Sequence, residues 1–133
     1  MKNIFYIFGS LSAFLGVALG AFGAHSLKES LSPEMLSIFE TGVRYQMYHS
    51  FALFIAGWAF QKYSHVSFSK AGWLFVSGIV LFSGSLYMLA ATGTSMFGAV
   101  TPVGGLAFLA GWLFLAVGFW KTKSRELSIG LAV

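Results

Sequence analysis

From Ala71 to Trp120 the chain carries no Asp, Glu, Lys or Arg. A soluble domain has charge on roughly a quarter of its residues, so this stretch cannot be folded with an ordinary water-facing surface. It is too long for a single crossing of a hydrocarbon core about 30 Å thick, which needs roughly 20 apolar residues in a helix. Two crossings joined by a short turn fit it. Composition extends the point to the whole chain: 57% hydrophobic, 9% charged and a mean hydropathy of +0.79 over 133 residues. A water-soluble globule is excluded, and so is disorder, which needs a chain poor in apolar residues. With no cysteine, disulfides, thiolate metal sites and cysteine nucleophiles are excluded as well.

Four stretches have the length and apolarity of spans, at about residues 4–24, 45–61, 71–92 and 102–120. The second is short, but its helix can start earlier. Ser32-Pro33 reads as an N-cap followed by the first helical position. Met35, Phe39, Val43 and Met47 then recur every four residues on one face, giving an amphipathic segment over 33–44 that runs into the span. Thr92 to Ser95 form the turn after the third span, and Gly98 to Thr101 lead into a fourth helix that starts at Pro102. The first apolar run is longer than a typical signal-peptide core and is expected as a retained helix. The expected fold is all-α: one transmembrane domain over residues 1–133, an integral membrane four-helix bundle.

Cations give its orientation. One side holds Lys2, Lys62, Lys70, Lys121, Lys123 and Arg125, the other only Lys28 and Arg44, offset by Glu29, Glu34 and Glu40. Both termini are expected in the cytoplasm. The basic rim suits anionic headgroups and gives no reason to expect nucleic acid as a partner.

In lipid, helices associate through close backbone approach more than through burial of apolar surface. Gly16 and Gly20 on the first helix, and Gly104, Gly111 and Gly118 on the fourth, are therefore the expected packing residues. One of these faces is left over for a homo-oligomer or a membrane-protein partner.

Ionisable and polar groups within spans are costly and are candidates for function. They gather in the outer half: His25 at the end of the first helix; Glu40, Arg44, Tyr45, Gln46, Tyr48 and His49 on the second; Ser83, Ser85 and Tyr87 on the third; Thr101 at the start of the fourth. Arg44 and His49 are expected in one cluster facing other helices. Glu40 with Arg44 also reads as an i,i+4 ion pair, and His49 as an imidazole satisfied by a tyrosine or a carbonyl. Neither a Ser-His-acid triad nor paired carboxylates within the spans are present, so no catalytic residue, metal site or cofactor is assigned.

GAFGAH at 20–25, YQMYH at 45–49, FSGSLY at 82–87 and GAVTPVGG at 98–105 resemble the typical stretches of a family of small membrane proteins, domain of unknown function 423, with YwdK-like bacterial members. The resemblance runs over about residues 5–120. It implies a four-helix multi-pass protein of the bacterial plasma membrane and supplies no activity, substrate or cofactor. The family's recurrent polar positions correspond to His25, Tyr45, Gln46, His49, Ser83, Ser85, Tyr87, Thr101 and Pro102. The function expected is non-enzymatic: binding of lipid or a partner through the outer polar cluster. Two other classes fit the same residues, a small oligomeric transporter or channel and a membrane enzyme or redox carrier using His25 and His49.

Overall fold

The computed structural model describes residues 3–130, with side chains as far as Ser124. Helix α1 spans Ile4–His25 and is followed by a single 3₁₀ turn, Leu27–Glu29. Helix α2 runs unbroken over Pro33–Tyr63, so the amphipathic segment and the second apolar stretch are one rod. Helix α3, Val66–Gly78, passes through a π-helical turn at Ile79–Ser83 into α4, Gly84–Thr92, and α5 spans Ser95–Gly130.

The helix ends follow from local chemistry. Ser32 Oγ accepts the Met35 N–H at 3.2 Å, and Pro33 occupies the first helical position, where its missing N–H costs nothing. Two residues reverse the chain between α2 and α3. Ser64 takes a left-handed conformation, φ 51°, and the His65 ring caps α3 by accepting the Ser67 N–H at 3.2 Å. Gly93, at φ 67°, closes α4 by donating to Leu89 O at 2.8 Å.

The fourth helix differs from the sequence expectation. It starts at Ser95, which puts Pro102 and Thr101 inside the helix, so no free helix-terminal amides lie there. The turn around Gly93 is tight enough for α5 to begin at once. Pro102 removes one helical hydrogen bond, and membrane helices tolerate this where neighbouring hydroxyls are at hand. Thr101, beside it, bonds a different carbonyl from the Gly98 one that Pro102 leaves: its Oγ donates to Phe97 O at 3.2 Å and lies 2.7 Å from Ser85 Oγ on α4.

Chain order is spatial order: α1 packs on α2, α2 on the α3–α4 rod, and that rod on α5. Small residues permit the approach. A Cβ on Gly16 would lie 2.6 Å from Met47 Sδ, and one on Gly20 would lie 3.3 Å from Val43. On α5, Gly104 sits against the backbone of Phe82, Gly111 against the Phe75 ring and Gly118 against the Phe68 ring. The glycine stripes that prompt an expectation of self-association are thus turned to neighbours within the chain. Phe5, Leu53, Phe68, Phe75, Phe108 and the alanines of α2 at 52, 56 and 59 form the core.

Large apolar side chains also cover the outside, with Phe14 72% and Trp120 78% exposed. Three rods are long and apolar enough to cross a membrane: Ile4–His25, Val66–Thr92 and Ser95–Ser124, each with a mean hydropathy of 1.9. Helix α2, equally long, is set apart by its charged first third and by Gln46, His49 and Ser50, whose side chains are buried against the other rods.

Candidate functional site: two polar networks on either side of α2

A helix advances 100° per residue, so Gln46 and Ser50 share one stripe of α2 while Tyr45 and His49 share the next. The structure uses each stripe for a different neighbour. Towards α1 and α4, Gln46 is 5% exposed. Its Nε2 donates to Ser12 O at 2.8 Å, and its Oε1 accepts the Tyr87 hydroxyl at 2.7 Å. Ser50 Oγ lies 2.7 Å from the Gln46 carbonyl and 2.8 Å from Ser12 Oγ. A carbonyl can only accept, so Ser50 donates to it and receives the Ser12 proton. Four side chains from three rods are joined in this way. Gly42 admits the Tyr87 ring: a Cβ there would come 2.8 Å from it.

Towards α5, His49 is 4% exposed. Its Nδ1 lies 2.7 Å from Tyr45 O, and its Nε2 accepts from Trp112 Nε1 at 3.2 Å. The carbonyl only accepts and the indole only donates. Both contacts together require a neutral imidazole with its proton on Nδ1. The ring lies flat on Phe108, centroids 3.4 Å apart and 6° from parallel. An open groove of about 780 Å³ runs over this stack between α2 and α5. Tyr45 and Tyr48 form one wall, Leu106 and Leu109 the other; Pro102 lies at one end and Trp112 at the other. A second groove of about 550 Å³, between α1 and the π turn, has Gln46, Ser12 and Tyr87 in its lining.

The single convergent cluster expected from sequence is therefore divided. Gln46 and Tyr87 belong to one network, His49 and Tyr45 to the other, and Ser85 with Thr101 forms a separate pair. Ser83 is fully buried in the π turn and its Oγ has no hydrogen-bond partner among the described residues. His25 is exposed at the end of α1. Arg44, expected beside His49, is outside the cluster. Five residues apart on a helix means about 140° apart in direction, so burying His49 turns Arg44 outward. Glu40 and Arg44 are both exposed, and no ion pair joins them among the described residues. Nor do those residues include a group of three or more His, Asp or Glu side chains placed to hold a metal.

Three participants were not singled out from sequence: Ser12, Ser50 and Trp112. Ser12 had a signal, since it lies on the stripe of Gly9 and Gly16 that faces α2. Ser50 follows Gln46 by one helical turn. Trp112 is indistinguishable by sequence from the other tryptophans of the apolar spans.

Comparison with known proteins agrees with a membrane chain. The family model described as "Protein of unknown function (DUF423)" matches residues 19–105. The UPF0382 membrane protein YwdK of Bacillus subtilis is 47% identical over 120 residues, 90% of this chain and 98% of its own length. A UPF0382 membrane protein of Haemophilus influenzae is 45% identical over 124 residues, 93% of this chain and 99% of its own. The UPF0382 inner membrane protein YgdD of Escherichia coli is 40% identical over 122 residues, 92% and 93% of the two chains. No solved structure matches.

Proposed function

We propose, for a chain that belongs to the DUF423 family of membrane proteins, that its function is to hold a membrane lipid in the groove between α2 and α5, without catalysis. The observation that carries this reading is the length of the groove. Pro102 and Trp112 mark its two ends, and ten helical residues rise about 15 Å, half of a 30 Å hydrocarbon core. A groove one leaflet deep, apolar along its length and edged by two tyrosines, matches one lipid chain. A partner helix would need a face through both leaflets.

In this reading α2 is a fourth span. Arg44 and Lys62 are eighteen residues apart, about 27 Å along a helix, which places one charge at each interface. The buried hydrogen bonds of Gln46, His49 and Ser50 remove the polar cost of the crossing. The Lys62 ammonium lies 5.1 Å from the ring centres of Trp58 and Tyr63, and the Lys70 ammonium 5.4 Å from that of Phe114. Such a belt of cations and aromatics suits a cytoplasmic interface, and with it both termini are assigned to the cytoplasm of the cell.

The test is photo-cross-linking with phospholipids carrying a diazirine on one acyl chain, with the adducts mapped by peptide mass spectrometry. Adducts concentrated at Tyr48, Leu106 and Leu109 are expected, and a Gly105→Leu variant should lose them. Gly105 lines the groove, and a Cβ there meets only ordinary contacts at 3.8 Å with Phe82, so a side chain can leave the helix at this position and occupy the groove. Labelling spread evenly over the exposed faces of α1 and α5 would count against the proposal.

A further inference from the structure

We infer that the lipid in the α2–α5 groove is a zwitterionic aminophospholipid, its phosphate held by Arg44 and its primary ammonium by Glu40. The inference rests on the lipid-groove reading above and adds the headgroup. Glu40, Arg44 and Tyr48 lie four residues apart on one stripe of α2, and Tyr48 is a wall of the groove. Following that stripe out of the groove, a chain leads to Tyr48, then to the cation, then to the anion.

Both charges are free to take a ligand. Arg44 and Glu40 are exposed, and neither has an ion-pair or hydrogen-bond partner among the described residues. The Tyr45 and Tyr48 hydroxyls, on residues 39% and 55% exposed, also carry no hydrogen bond among the described residues. Guanidinium and phenols offer donors to a phosphodiester, which offers only acceptors.

The order of the charges selects the headgroup. One helical turn further out is a rise of about 6 Å, and the headgroup layer on each side of the hydrocarbon is about 5–8 Å deep. Arg44 at the base of that layer and Glu40 near its outer edge therefore bracket it. In a phospholipid the phosphate lies nearest the hydrocarbon and any amine lies beyond it. Cation inside and anion outside is the complement of that order. A purely anionic headgroup would place Glu40 against its own charge, and a quaternary ammonium would offer Glu40 no N–H.

The experiment extracts the protein in lipid-like carriers from vesicles of equal parts ethanolamine, glycerol and choline phospholipids, and counts retained lipids by native mass spectrometry. The wild type is expected to retain the ethanolamine lipid about fivefold over either of the others, as one exposed charge-assisted pair worth about 1 kcal/mol would give. Glu40→Gln should abolish that preference while leaving the number of lipids per protein unchanged. Arg44→Gln should lower retention of all three phospholipids. Both side chains are exposed, so neither variant threatens the fold. Equal retention of all headgroups by the wild type, a preference for the glycerol or choline lipid, or an ethanolamine preference that survives Glu40→Gln would overturn the headgroup inference and leave the groove standing. Retention that ignores Gly105→Leu would overturn the groove itself.

Discussion

The hydroxyl of Tyr87 on α4 donates a 2.7 Å hydrogen bond to Oε1 of Gln46 on α2, while the amide nitrogen of Gln46 is committed to α1 through Ser12 O at 2.8 Å. One side chain, itself buried, thus ties three rods. Tyr87→Phe leaves a buried carbonyl oxygen without its donor and is expected to destabilise the bundle by about 1–2 kcal/mol. Gln46→Leu with Tyr87→Phe together should cost less than the sum of the two single changes. Steric-trap or denaturant unfolding in bicelles would measure all four members of the cycle, and strict additivity would contradict the coupling.

His49 is expected to be a single neutral tautomer. Its Nδ1 should give the ¹⁵N signature of a protonated ring nitrogen and its Nε2 that of an acceptor. Solid-state NMR of protein labelled at histidine reads both. Trp112→Phe removes the indole donor at 3.2 Å and should shift the Nε2 resonance while leaving Nδ1 nearly unchanged. A second tautomer at comparable intensity in the wild type would contradict the assignment.

Glycines in one bundle should differ widely in tolerance. At Gly104 a methyl group would meet the backbone nitrogen and Cα of Phe82, which cannot rotate away, so Gly104→Ala is expected to cost about 1–3 kcal/mol from overpacking. At Gly84 nothing lies within 4 Å, and Gly84→Ala should be neutral or stabilise by up to about 1 kcal/mol through the helix preference of alanine. Thermal unfolding of the two variants in one detergent would separate them.

Ser64 holds a left-handed conformation at φ 51°. A non-glycine residue pays roughly 1–2 kcal/mol for that geometry, while Ser64 also has an interaction of its own and glycine adds entropy to the unfolded chain, so Ser64→Gly is expected to raise the unfolding midpoint by less than that cost, if at all. A lowered midpoint would mean that the serine side chain contributes more than its backbone costs.

What sequence revealed and what it hid divides along physical lines. Charge-free length and capping chemistry act locally, so the rods and the starts of α1 and α2 were legible, Ser32-Pro33 most clearly. Pro102 misled because its usual place is the first helical turn. Here the Gly93 turn lets α5 start seven residues sooner, and the proline is carried inside. The polar residues were recognised as a group, yet their division into two networks depends on the direction in which each side chain leaves α2. Residue spacing separates Gln46 from His49 by three positions but does not say which neighbour lies on which side. Trp112 was hidden for a related reason, since its partner stands 63 residues away.

The π turn at Ile79–Ser83 acts as a phase shifter within one rod. It inserts one residue relative to a regular helix, a rotation of about 100°. Before it, Phe68 and Phe75 are aimed at Gly118 and Gly111 of α5. After it, Tyr87 is aimed at Gly42 and Gln46 of α2. Deleting any one residue between 79 and 83 would restore a uniform helix of almost unchanged length and apolarity. It would also swing Tyr87 away from α2, leaving the inner contacts of the rod correct and the outer ones out of register. Both halves of the rod touch both neighbours, Ser85 still lying 2.7 Å from Thr101 of α5, so the length of the turn by one residue is the quantity on which the register of α4 against α2 and α5 together depends.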